Sequence, residues 1–250
     1  MIDVHDLSPW LLLAAPITIV IAYTIFGISG FGSTIIAVPV LAHFLPVTFL
    51  VPLMVLLDMS AALFIGTKGR EHVSREEIKR LVPVMLVGFL IGVTVLVKVD
   101  PDLLRIALGV FAITVGVHGI LNPVLTSTIS KWWSIPAGLV GGSIATVFGA
   151  GGPIYATYLG GRLHDKNEVR STVSALISIS AFSRAVLYAI GGLLLHWTIF
   201  AGMALLAPFV WLGLRIGSRI HVGLTQVQMR RLVGVLLVLT GASLFIHVFK

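Results

Sequence analysis

Gly27–Pro39 reads G-I-S-G-F-G-S-T-I-I-A-V-P, and Ala145–Tyr158 reads A-T-V-F-G-A-G-G-P-I-Y-A-T-Y, a degraded copy of the same stretch. Each interrupts a long apolar run with glycines. Where a helix breaks at membrane depth, backbone N–H groups are left uncovered, which hydrocarbon tolerates only if they line a polar site or are buried in protein. The two stretches therefore predict a pair of broken-helix hairpins with a binding site at their tips.

The rest of the chain supports a membrane setting. Of its 250 residues 57% are hydrophobic and 11% charged, with a mean hydropathy of +1.06, beyond what a soluble globular domain carries. The chain reads as an all-α polytopic membrane protein. The net charge of +7 lies mostly in loops flanking apolar runs, where it orients the protein in the lipid bilayer and gives no reason to expect nucleic acid. The start, M-I-D-V-H-D, lacks a basic n-region, so no signal peptide is expected. There is no cysteine, which excludes disulfides and thiolate metal sites, and no cofactor or metal is expected.

In chain order, an apolar run over Pro9–Ile28 meets the first glycines and continues through Ser33–Leu45 to Pro46. Val47–Gly66 is of spanning length and carries Asp58. The polar loop Lys68–Arg80 follows, then spans over Leu81–Val97 and Leu103–Leu121, with Pro101 forcing a turn between them. Trp132 and Trp133 suit a membrane interface.

The second half replays the first. Gly30 and Gly32 match Gly149 and Gly151 at a shift of 119, while Pro83, Gly88, Gly92, Arg105, Gly109 and Gly116 match Pro208, Gly213, Gly217, Arg230, Gly234 and Gly241 at 125. Residues 1–121 and 134–250 thus read as two repeats joined by a connector over 122–133. Loop charges relate them: Lys68–Arg80 is basic where its counterpart Leu193–Thr198 is uncharged, and R-L-H-D-K-N-E-V-R from Arg162 is basic where its counterpart around His43 has no Lys or Arg. By the positive-inside rule, equivalent loops face opposite sides, so the repeats are expected to be inverted, as in many secondary transporters. Lys131 and Arg162 both belong inside, which makes the intervening stretch enter and return. The expectation is ten helical segments, five per repeat, hairpin limbs of roughly 13 to 20 residues, and both termini outside.

G-F-G-S-T-I-I-A-V-P-V-L, G-A-G-G-P-I-Y-A-T-Y-L, L-G-L-R-I-G-S-R-I and R-R-L-V-G-V-L-L-V-L-T-G-A-S-L resemble the TauE/SafE sulfite exporter family, also called the toluenesulfonate uptake permease family. The resemblance covers nearly the whole chain. It implies a bacterial inner-membrane transporter for small anionic substrates such as sulfite, sulfoacetate or another organosulfonate. The chain departs from the family pattern at Ser33, where a third glycine is common, and at Tyr158, where proline is common.

Independently of the family, the residues suit an anion. Pro153 after Gly151 and Gly152 fits the first turn of a helix, and Ser33 and Thr34 read as N-caps. Two helix starts converging at mid-membrane favour an anion by roughly 0.3 to 2 kcal/mol each. A fixed cation is then expected, and Arg184 has no other charge within a dozen residues on either side. The candidate substrate site is Gly30, Phe31, Gly32, Ser33, Thr34, Ala150, Gly151, Gly152, Pro153 and Arg184. Asp58 reads as an ion-pair partner of Arg184 or a coupling residue, while His43 and His118, near span ends, read as hydrated interfacial histidines with proton shuttling as the alternative.

Two other classes were weighed. Gly27-Ile28-Ser29-Gly30 is a G-x-S-G tetrapeptide of the kind found in rhomboid intramembrane serine proteases; a protease leaves the second glycine-rich copy without a purpose. A non-transporting assembly subunit would use the glycines for close packing, which suits Gly88 with Gly92 and Gly213 with Gly217 but not the paired hairpins. The chain reads as a transporter, an exporter by family resemblance, working by alternating access, not an enzyme; the sequence also admits a homodimer.

Overall fold

The computed structural model describes residues 9–29, 32–65, 72–121, 129–219 and 226–248. These form ten α-helices: α1 (Pro9–Ser29), α2 (Ser33–Leu41), α3 (Val47–Ile65), α4 (Arg75–Lys98), α5 (Pro101–Leu121), α6 (Ser134–Phe148), α7 (Gly152–Gly160), α8 (Lys166–Ile190), α9 (Trp197–Arg219) and α10 (Gln226–Val248). Five of them, α1, α4, α5, α8 and α9, are long and apolar enough to cross a membrane; shorter apolar segments lie in α3 and α10. Part of the loop expected over Lys68–Arg80 is helical, because α4 begins at Arg75, with Glu76 and Glu77 in its first turn where they complement the helix dipole.

Glycine seams pair the helices. α4 packs on α6 and α1 on α9. A Cβ added at Gly88 would come within 2.5 Å of the Leu139 carbonyl oxygen, and one at Gly92 within 2.6 Å of Thr146 Cβ. At Gly213 it would meet the Val20 oxygen at 2.7 Å, and at Gly217 the Thr24 oxygen at 2.3 Å. Both seams are small-residue stripes of the kind that lets helices pack backbone to backbone where lipid supplies no hydrophobic drive. α5 and α10 also pair, with Gly109 against the Gly241 oxygen at 3.2 Å and Gly116 against the Gly234 oxygen at 2.6 Å. The partners descend on one helix as they ascend on the other, so α5 and α10 run antiparallel, whereas both other seams ascend together.

α3 packs on α8 at the centre, and Leu50, Val51, Val55 and Leu57 on α3 are fully buried, as expected of a helix that is apolar all round. Outward faces stay apolar, with Leu86, Leu90 and Val97 of α4 and Val110 and Val117 of α5 exposed, the surface a bilayer requires. Trp132 and Trp133 are 69% and 61% exposed ahead of α6.

The hairpins are unequal. The entering limbs α1 and α6 have 21 and 15 residues, and the returning limbs α2 and α7 only nine each, shorter than the sequence suggested. At 1.5 Å per residue each returning limb is about 14 Å long. The second hairpin folds back so that its two ends meet: the Ile129 amide donates to the Gly161 oxygen at 2.8 Å, and Arg162 Nη1 donates to the Ile129 oxygen at 3.2 Å.

Candidate functional site

At the first tip, α2 begins beyond Gly32, whose φ of 104° is left-handed. Glycine takes the N-cap position because the chain must reverse there, a conformation L side chains resist. Contrary to the expectation from the sequence, Ser33 and Thr34 do not cap the helix; they lie one and two residues inside it, and their hydroxyls turn to Asp58 on α3. Ser33 Oγ donates to Oδ1 at 2.9 Å, Thr34 Oγ1 to Oδ2 at 3.0 Å, and Tyr23 Oη of α1 to Oδ1 at 2.7 Å. All four side chains are buried. A buried carboxylate accepts three donors and so ties α1, α2 and α3 together.

At the second tip, α6 ends at Gly149, φ 72°, and α7 begins beyond Gly151. Neither helix start has a side-chain cap, so first-turn amides remain for a ligand. The tips touch: a Cβ at Gly149 would lie 2.0 Å from Thr34 Cγ2.

Arg184, 2% exposed, reaches from α8 to the broken end of α6. Nη1 donates to the Ala145 oxygen at 2.5 Å, and Nε donates within α8 to the Ser180 oxygen at 3.3 Å. A cation at a helix C-terminus meets the negative end of the dipole, and Tyr188 Oη supports the same end through the Thr146 oxygen at 2.6 Å. No ion pair joins Arg184 to Asp58 within 4 Å among the described residues. The two instead line one cavity together with Gly32, Ser33, Thr34, Gly151 and Gly152. Space there for the centre of a water-sized molecule is about 20 Å³, enough for a water and too little for an organosulfonate in this conformation.

Of the other residues predicted at the site, Gly30 and Phe31 lie outside the described residues. Ala150 faces an apolar crevice with Leu108, Phe111 and Phe148, and Pro153 does not line the cavity. His43 binds Ser243 Oγ on α10 at 3.0 Å through Nε2, and His118 is exposed on α5. Tyr155 and Ser180 also line the cavity, and sequence reasoning passed over both. A tyrosine in an apolar run and a serine in a small-residue run look like ordinary interior.

A second polar cluster sits away from the cavity, where α4 begins. Glu77, 2% exposed, accepts from Tyr158 Oη at 2.6 Å, Arg162 Nη2 at 3.0 Å and Arg80 Nη1 at 2.9 Å. The hydrogen bond to Glu77 holds the Arg162 guanidinium above its ordinary pKa. Two arginines and a phenol satisfy a carboxylate that would be costly to bury alone. Among the described residues no group of His, Cys, Asp and Glu could hold a metal ion.

Comparison with known proteins places the chain in a family. Residues 15–244 match the family described as Sulfite exporter TauE/SafE. The chain is 28% identical over 201 residues to the Probable inner membrane transporter protein TsaS of Comamonas testosteroni, covering 79% of this chain and 83% of that protein. No solved structure matches. The chain belongs to the TauE/SafE family, a family of membrane transporters, and five of its described helices are long and apolar enough to cross a membrane.

Proposed function

We propose that this TauE/SafE member exports small sulfur-containing anions, sulfite or an organosulfonate such as sulfoacetate, by alternating access. The observation that carries the reading is Arg184: a buried guanidinium on the wall of a cavity that two uncapped helix starts line as well, together with Asp58, whose carboxylate is taken up by three hydroxyls. Intramembrane charge of this kind marks a substrate path by default. Bidentate donors suit an oxyanion, and the inside-negative potential drives anion export at about 2.3 kcal/mol per charge per 100 mV. The cavity opens further when the substrate enters.

In this reading residues 1–121 and 134–250 are inverted repeats around residues 122–133. The antiparallel α5–α10 seam and the exchanged seams α1–α9 and α4–α6 support it, as do the opposed loop charges. Both termini then lie outside, and the Glu77 cluster lies at the cytoplasmic face.

Thermal unfolding of purified protein with sulfite, sulfate, thiosulfate, taurine, sulfoacetate or chloride tests the function. A sulfur oxyanion at a hundred times its Kd should add about 2.7 kcal/mol; no shift with any anion, or a shift with chloride alone, overturns the proposal. Topology is tested in the cysteine-free chain. Asn167→Cys should be shielded from an impermeant reagent in intact cells and Asp3→Cys labelled, and the reverse pattern would place the molecule upside down.

A further inference from the structure

We infer that Tyr155 and Ser180 are substrate-binding donors which, with Arg184, shape the cavity for the three-oxygen head of a sulfite or sulfonate. The inference rests on reading the cavity as the substrate site. Tyr155 is 1% and Ser180 2% exposed, both line the cavity, and neither hydroxyl has a hydrogen-bond partner among the described residues. Native proteins rarely bury a hydroxyl without a partner, because it forfeits its bonds to water. The cavity has room for a water to meet them when empty, and a ligand that displaces that water must replace its bonds.

The tyrosine is held in place for this. A Cβ at Gly141 would come within 2.4 Å of Tyr155 Cε1, and one at Gly151 within 3.0 Å of Cε2, so two glycines admit the ring between them. Ser180 stands one turn before Arg184 on α8, with Nε bonded to its carbonyl, which puts hydroxyl and guanidinium on one helix face.

The surroundings decide what enters. Arg184 can only donate. Asp58, the acceptor on the same cavity, already takes the hydroxyls of Tyr23, Ser33 and Thr34. An occupant must therefore accept from the guanidinium and can take two more bonds from Tyr155 and Ser180. A head with three equivalent oxygens uses all of these directed donors, whereas a halide uses the charge and gains less from their direction.

The test compares Tyr155→Phe, Ser180→Ala and the double variant with wild type, in nanodiscs, by calorimetric titration with sulfite, methanesulfonate and chloride and by thermal unfolding without anion. Each single change should weaken sulfite about 3- to 10-fold and the double change about 10- to 100-fold, the loss of one or two hydrogen bonds. Chloride affinity should be unchanged, and ligand-free stability unchanged or raised, since an unpartnered hydroxyl is removed. The relative wild-type affinities for sulfite and methanesulfonate distinguish the inorganic anion from an organosulfonate as the source of the head group. Wild-type sulfite affinity in the double variant would overturn the inference, as would a drop in ligand-free stability with equal loss for all three anions. Undiminished sulfite binding by Arg184→Ala is a different failure, because it removes the cavity as the substrate site whatever the hydroxyls do.

Discussion

The two hairpins share a backbone plan and differ in what their polar groups do. Each runs an apolar limb into a positive-φ glycine and returns through nine residues. At the first tip three hydroxyls converge on Asp58 and every one is used. At the second, Arg184 spends two donors on the surrounding backbone while Tyr155 and Ser180 remain unpartnered. A satisfied network rigidifies, so the first tip is a buttress. The second carries donors in search of an acceptor, and is where a ligand gains most. In the proposed reading, duplication supplied the breaks in the helices, and divergence of a few side chains separated support from recognition.

The comparison breaks most sharply at Arg184. Arg184→Ala should eliminate sulfite-dependent stabilisation and transport, a loss of roughly 10- to 100-fold or more from charge-assisted bonds alone. Arg184→Lys keeps the charge without the planar fork and should retain weak binding. Full activity of Arg184→Ala in a vesicle uptake assay would move recognition to the helix starts alone.

Asp58 tests the other half. Asp58→Ala strands three buried hydroxyls at about 1–3 kcal/mol each, so it should destabilise by roughly 3 kcal/mol or more; Asp58→Asn, which keeps an acceptor, should cost less. Unfolding without anion reads this directly. Because no ion pair joins the tips, Asp58→Asn with Arg184→Gln should not restore the binding lost on changing Arg184 alone. Recovery in the double variant would show that the two charges balance each other.

Much of this plan is legible in the chain. The glycines that break the helices, the shifts that relate Gly88 to Gly213 and Gly109 to Gly234, and the isolation of Arg184 are all local or periodic signals, and they lead to the ten helices and the shared cavity. What escapes the sequence is the aim of side chains. Ser33 and Thr34 precede a helical run and look like caps, but Gly32 takes that place and a carboxylate on the next helix takes their hydroxyls. Tyr158 looks like an ordinary interior aromatic, but its hydroxyl donates to Glu77, 81 residues away. Tyr155 acquires its orientation from Gly141 and Gly151, which no spacing rule announces. Ser33 and Tyr158 are alike in kind: each supplies a hydroxyl to a buried carboxylate.

The glycines at the tips give the finest comparison, since two of them share a backbone conformation and differ in surroundings. Gly149, φ 72°, faces Thr34, and an added Cβ would meet Cγ2 at 2.0 Å. Gly149→Ala therefore combines about 1–2 kcal/mol for the left-handed backbone with about 1–3 kcal/mol of overpacking, and should push the first tip away from the second. Gly32, φ 104°, has nothing within 4 Å of the same added atom. Gly32→Ala should cost only the backbone term, about 1–2 kcal/mol, and Gly32→Asn less, because asparagine enters left-handed conformations more readily. Sulfite affinity should survive in Gly32→Ala once stability is accounted for, since the added Cβ has nothing within 4 Å, while Gly149→Ala should lose affinity as well as stability. Equal loss of sulfite binding at Gly32→Ala and Gly149→Ala would mean that the first tip touches the anion too, and the division between a supporting hairpin and a recognising one would fail.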